Sequence, residues 1–338
     1  MSIQEITEIK KLLASPKSIV IIPHKNPDGD AIGSTLALHH YLSELGHDSV
    51  VIAPNEYPDF LKWVPGEESV IKYNSNTVVA QEKIENAAII FTLDFNDLSR
   101  TGDMESALQK VETTFIMIDH HQQPSDYATY MYSDVSMSST CQMVYHFMEK
   151  LSELDKITPE IATCLYVGIM TDTGSFRFRS TTSTTHRVVA DLIDRGADNT
   201  RIHENIYDTK TFSRLQLQGV ALKNLKILPE YKTAYITLSQ KELDEHHFKK
   251  GDTEGFVNFG LSIEGTVFAV IFIENKKEGI IKISLRSKGE FSVNEFSRNY
   301  FNGGGHHNAA GGRSNLSLND TIEKFISILP SYKNALNR

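Results

Sequence analysis

The chain has 338 residues, 40% of them hydrophobic and 23% charged, enough apolar material for about two domains of ~150 residues each. A net charge of −9 speaks against stable tracking along long nucleic acid, where Lys and Arg must neutralise phosphates, but leaves room for a small phosphorylated ligand in a local pocket. Apolar runs such as Ala87 to Phe91 fall far short of the ~20 residues of a membrane span, and the start Met-Ser-Ile-Gln-Glu carries no secretory pattern.

Four short, apolar, often β-branched stretches read as strands: Ser18 to Ile22, Ser49 to Ala53, Ala88 to Leu93 and Phe115 to Ile118. They alternate with longer amphipathic segments such as Ala31 to Leu45. Continuous apolar runs between helices predict strands buried on both faces, hence a parallel α/β sheet. Thr158-Pro159-Glu160 reads as a helix start, with a Thr cap and Pro in the first turn, and Ile161, Leu165 and Ile169 continue at helical spacing. The lone cysteines, Cys141 and Cys164, sit in apolar surroundings and are expected as buried thiols in a reducing cytoplasm.

The stretch from Thr185 to Leu225 is helical and polar. It is expected to join a first domain, 1–190, through a helical linker, 191–225, to a second domain, 226–338. There Thr233 to Leu238, Gly265 to Ile273 and Gly279 to Leu285 alternate and read as antiparallel strands. A glycine-rich segment, Gly303 to Gly312, and an amphipathic helix near Leu318 to Leu329 complete the chain.

Chemistry-bearing residues follow these elements. His24, Asp28 and Asp30 come after the first strand, Asp94 after the third, Asp119-His120-His121 after the fourth, and Asp172 at the end of the helix that opens at Pro159. Singly, each has an ordinary reading as a cap, turn or surface residue. Together, placed where the C-terminal ends of parallel strands share one edge, they are hard to explain as caps. Mixed carboxylate and imidazole ligands without thiolate disfavour structural zinc and suit manganese, magnesium, iron or cobalt. Two such ions about 3.5–4 Å apart can activate a water and clamp an in-line phosphoryl displacement. Asp94 suits a carboxylate shared by both.

These residues resemble a known family. His24-Lys25-Asn26-Pro27-Asp28-Gly29-Asp30 is similar to the first motif of the DHH phosphoesterase superfamily, and Asp119-His120-His121 to the motif that names it. Met170-Thr171-Asp172-Thr173-Gly174-Ser175-Phe176 resembles the fourth motif, and Gly303-Gly304-Gly305-His306-His307-Asn308-Ala309-Ala310-Gly311 the signature of the DHH-associated C-terminal domain. The resemblance implies an N-terminal parallel-sheet catalytic domain, a smaller C-terminal α/β domain and a cleft between them. It implies two divalent ions, manganese first, with magnesium or cobalt as alternatives. His24, Asp28 and Asp94 would hold one ion; Asp30, Asp94, His120 and Asp172 the other. His120, His121 and Asp94 would be catalytic, with His121 positioning the scissile phosphate and Asp119 orienting a histidine. Phe95 stands where relatives often carry a small hydroxyl residue, which puts in doubt a hydrogen bond from that position.

On the substrate side, Gly303, Gly304 and Gly305 offer backbone N–H groups that can approach a phosphate closely. Arg286, on a predicted strand, is the leading phosphate or base clamp, ahead of Arg298 and Arg313. His306 and His307 join them by resemblance. The layout is similar to members that degrade short oligoribonucleotides and dephosphorylate 3'-phosphoadenosine 5'-phosphate, as cytoplasmic enzymes and plausible homodimers. Alternatives are a linear or cyclic dinucleotide phosphodiesterase, a single-strand DNA exonuclease, a pyrophosphatase and an inactive nucleotide-binding regulator.

Overall fold

The computed structural model describes residues 1–337; Arg338, the last residue of the expected second domain, lies outside them. The chain divides into two compact units, Met1–Thr209 and the residues from Lys210 onward. In the first unit the elements run α1 (Ile3–Leu12), β1 (Ser18–Ile22), α2 (Gly29–Glu44), β2 (Asp48–Ala53), β3 (Ile71–Lys72), α3 (Thr77–Glu85), β4 (Ile89–Leu93), α4 (Glu105–Leu108), β5 (Thr114–Asp119), β6 (Tyr130–Ser133), α5 (Thr140–Lys150), α6 (Pro159–Asp172), α7 (Ser183–Asp194) and α8 (Asn199–His203).

The six strands form one parallel sheet in the order β3-β2-β1-β4-β5-β6. Ile19, Ile21, Ile89, Phe91, Ile116 and Ile118 pack on one face against α2, α5 and α6; Val20, Ile22, Ile90 and Phe115 pack on the other with Ala80 and Ile84 of α3. Burial on both faces is what the unbroken β-branched runs require. Thr158 caps α6 through its side chain, with Pro159 in the first turn. The short edge strands β3 and β6 do not stand out in the sequence.

The second unit continues with α9 (Phe212–Lys223), β7 (Lys226–Leu228), β8 (Thr233–Leu238), α10 (Gln240–Glu245), α11 (Val257–Leu261), β9 (Phe268–Asn275), β10 (Ile280–Ser287), α12 (Val293–Tyr300), β11 (Gly304–His306), β12 (Ala309–Ser314), α13 (Leu318–Ile328) and α14 (Lys333–Leu336). Its sheet runs β11-β12-β10-β9-β8-β7. Phe268, Phe272, Phe296 and Phe325 fill one face; Leu217, Ala221, Ile236 and Ile271 fill the other. Residues 191–225 divide between the units, α8 burying Ile202 in the first and α9 burying Leu217 and Ala221 in the second.

One expectation is corrected here. β9 and β10 are antiparallel, but β8 and β9 are parallel, because α10 and α11 lie in the connection and make it a crossover. In the glycine-rich segment, β11 and β12 pair as an antiparallel hairpin that continues the sheet on β10. Among the described residues, no helix is long and apolar enough to cross a membrane.

Candidate metal centre

The strand order of the first sheet reverses between β1 and β4, and such a reversal opens a crevice at the C-terminal strand edge. His24, Asp28 and Asp30 follow β1, Asp94 follows β4, and Asp119 ends β5 with His120 and His121 behind it. Asp172 is the last residue of α6.

Most of these side chains are held by hydrogen bonds. Asp28 caps α2: its Oδ1 accepts from the N–H groups of Asp30 and Ala31, both at 3.1 Å. Its Oδ2 lies 3.8 Å from His24 Nε2, so the cap uses one oxygen and leaves the other turned to that histidine. His24 Nδ1 lies 3.0 Å from the Lys25 carbonyl, and His120 Nδ1 lies 3.2 Å from the Met137 carbonyl. A carbonyl only accepts, so each Nδ1 carries the proton. Each Nε2 is thereby turned to carboxylates, the arrangement of metal-ligating histidines.

His24 Nε2 is 3.5 Å from Asp94 Oδ2. His120 Nε2 is 3.5 Å from Asp94 Oδ1, 3.6 Å from Asp172 Oδ2 and 3.8 Å from Asp30 Oδ2. Asp94 therefore turns one oxygen to each histidine. The ligand atoms of His24, Asp28 and Asp94 lie within 4.8 Å of one another, and so do those of Asp30, His120 and Asp172. A third such group is Asp94, Asp119 and His121, in which Asp119 Oδ1 is 2.7 Å from His121 Nδ1 and Asp119 Oδ2 is buried without a hydrogen-bond partner.

The electrostatics favour cations. Burial, then the charges of Asp94 and Asp172, push the Asp30 carboxyl well above its usual range. Burial likewise raises Asp172, to about 6, with Asp94 and Asp28 adding to it. Burial also acts to raise Asp94, but hydrogen bonds with His120 and His24 outweigh it and hold this carboxyl well below its usual range. Burial disfavours imidazolium at His24 and His120, yet Asp94 and the neighbouring aspartates raise both. Two dications would balance the four carboxylates of Asp28, Asp30, Asp94 and Asp172, a donor set of hard oxygens and imidazole. The residues present fit such ions.

The sequence did not point to α5. Its first N–H groups hold Asp30, with Thr140 N–H 2.6 Å from Oδ2 and Cys141 N–H 2.8 Å from Oδ1. A helix N-terminus is a natural anchor for a carboxylate. The Thr140 hydroxyl donates to Asp94 Oδ1 at 2.9 Å. The available signal was Ser138-Ser139-Thr140, a hydroxyl run before an amphipathic stretch, with Ser139 serving as the N-cap. Phe95 is buried in the core, so the hydroxyl partner of Asp94 comes from Thr140 instead. Cys141 and Cys164 are free and buried.

In the second unit, strand register aligns the substrate candidates. Ala234, Ala269, Arg286, Ala309 and His306 are successive partners across β8, β9, β10, β12 and β11. Partners in register share a face, so Arg286 and His306 flank the small Ala309, about 10 Å apart at two strand spacings. Arg286 Nη1 also donates to its neighbour, the Leu285 carbonyl, at 3.0 Å. Arg313 pairs with Lys282 further along the same two strands. Arg298 is on α12, where its Nε donates to Asn294 Oδ1, an atom that also accepts from Gly305 N–H. His307 lies in the hairpin turn, its carbonyl accepting from Val293 N–H at 2.8 Å and its Nε2 buried without a partner. At Gly303 a side chain is excluded, since a Cβ would stand 1.9 Å from the Gly311 carbonyl oxygen.

Residues 18–169 match the DHH family, N-terminal domain, and residues 230–332 match the DHHA1 domain. Over 95% of its length the chain is 32% identical to the bifunctional oligoribonuclease and PAP phosphatase NrnA of Thermus thermophilus, covering 91% of that protein. It is 27% identical to the Bacillus subtilis protein of the same name over 90% of its length, covering 92% of that protein. A crystal structure of an exopolyphosphatase-related protein from Bacteroides fragilis matches all of this chain and 98% of its own with a TM-score of 0.95 and 37% identity.

Proposed function

Because the chain belongs to the DHH family, we propose that it is a manganese-dependent phosphoesterase that degrades short oligoribonucleotides to mononucleotides and dephosphorylates 3'-phosphoadenosine 5'-phosphate. The observation that carries this reading is Asp94, which turns one oxygen to His24 and the other to His120.

His24, Asp28 and Asp94 would hold one ion, and Asp30, Asp94, His120 and Asp172 the other. When bound, the pair supplies an activated water and stabilises charge on the phosphoryl oxygens. The chain's own residues do the rest. Asp94 is kept ionised by His24 and His120, and Thr140 fixes the direction of its carboxylate. Asp30 is immobilised at the start of α5. Asp119 fixes the His121 ring through Nδ1, and His121 positions the scissile phosphate from its other nitrogen. In the second unit Arg286, Gly303, Gly304, Gly305, His306 and His307 bind the remainder of the nucleotide. The substrates are therefore short oligonucleotides, dinucleotides and 3'-phosphoadenosine 5'-phosphate. The two free buried thiols agree with a cytoplasmic setting.

The test is an activity panel with Mn²⁺, Mg²⁺ and Co²⁺ on metal-stripped protein. It compares RNA two to seven nucleotides long, 3'-phosphoadenosine 5'-phosphate, cyclic di-AMP, long single-stranded DNA, polyphosphate and pyrophosphate. Short RNA is expected to turn over fastest, with Mn²⁺. Preference for long DNA, polyphosphate or pyrophosphate would overturn the reading.

A further inference from the structure

Directly after Asp172 the backbone takes an unfavourable course. Gly174, Ser175 and Phe176 have φ of +56°, +61° and +64°. Left-handed backbone is costly for a serine and more so for a bulky aromatic. Specific contacts impose it here. Phe176 N–H donates to Thr173 Oγ1 at 3.0 Å, and Ser175 Oγ lies 2.9 Å from His203 Nε2. The Phe176 ring packs edge-on against Tyr166 and beside His186. Strain of this kind persists only where surroundings over-determine it, and it collects at ligand sites.

The turn delivers Arg177, Phe178 and Arg179 to the surface. Phe178 is 38% exposed, and one side of its ring lies over Gly174. A Cβ at residue 174 would stand 2.4 Å from Phe178 Cζ, so the missing side chain makes the seat. Arg177 Nε donates to the Gly174 carbonyl at 2.7 Å, tying that guanidinium to the same turn. Two arginines thus flank a partly exposed phenylalanine in sequence, in a chain of net charge −9 and a few residues past a candidate metal ligand.

We propose that Phe178, seated on Gly174 between Arg177 and Arg179, is a stacking platform for a nucleobase of the oligonucleotide whose scissile phosphate His121 positions at the same centre as Asp172. The proposal rests on the phosphoesterase reading above. An aromatic face accepts any base, and adjacent arginines add cation–π and phosphate contacts, which is how single-stranded nucleic acid is gripped without sequence preference. Pyrophosphate has no base to place there. The platform therefore favours nucleotides over inorganic substrates at a centre whose metal chemistry does not separate them.

The test uses full-length protein and 2-aminopurine riboside 5'-monophosphate, whose fluorescence is quenched on stacking. Wild-type protein quenches it; Phe178→Ala weakens binding by roughly tenfold or more, and Phe178→Tyr restores it to within about threefold. For an RNA dinucleotide, Phe178→Ala raises KM by a similar factor and lowers kcat by less than about threefold. Wild-type affinity in Phe178→Ala, failure of Phe178→Tyr to restore it, or a fall in kcat at constant KM overturns the platform. If wild-type protein hydrolyses no phosphodiester, the phosphoesterase reading falls, while the quenching titration still decides whether Phe178 stacks a base.

Discussion

The two units arrange their candidate ligands differently. In the first, side chains from the ends of β1, β4, β5 and α6 converge on a mostly buried spot, and most are held by a second bond to backbone or hydroxyl groups. In the second, Arg286 and His306 stand in a half-buried row across the sheet, separated by an alanine. Convergence suits bond cleavage, where charge must be met by groups already in place. A row with small residues between long ones suits grip, which tolerates variation in the ligand. The difference predicts that damage to the first unit disables chemistry and damage to the second weakens affinity.

The sharpest way to break that contrast is Asp94→Ala. Because one carboxylate faces both histidines, both metal equivalents should vanish together in metal analysis, and kcat should fall about a thousandfold or more. Retention of one full equivalent would contradict a shared ligand. Next is Thr140→Val, which removes the hydroxyl but keeps the N–H on Asp30. Manganese affinity by calorimetry should fall about 10- to 100-fold, with recovery in Thr140→Ser. Arg286→Ala should raise KM for dinucleotides about tenfold, as for loss of a charged hydrogen bond, without loss of bound metal. The smallest effect on turnover is expected from Gly303→Ala. Its Cβ would collide with the Gly311 carbonyl, costing the second unit about 1–3 kcal/mol in thermal unfolding while bound metal stays constant.

The same contrast decides what could be read from the sequence. His24, Asp28, Asp94 and His120 follow apolar strands, so their convergence was legible once the strands were seen as parallel. Thr140 was not, because its role depends on where α5 begins in space relative to Asp94, 46 residues earlier. β3 has two residues and β6 reads Tyr-Met-Tyr-Ser, too short or too polar to announce a strand. The parallel pairing of β8 with β9 is a property of the crossover between them, invisible in either strand. The row through Arg286 depends on register across five strands, which no local pattern encodes.

Asp94 has one further property, a left-handed backbone with φ of +66°. Of the two acidic residues, aspartate visits that region with the greater ease. Asparagine would keep the backbone but lose the charge and one of the two oxygens. Glycine would keep the backbone and lose both. Glutamate would keep the charge but fit neither the turn nor the reach. Each of these three substitutions gives up something that the arrangement holds, so none of them preserves the two-sided contact of Asp94 with His24 and His120.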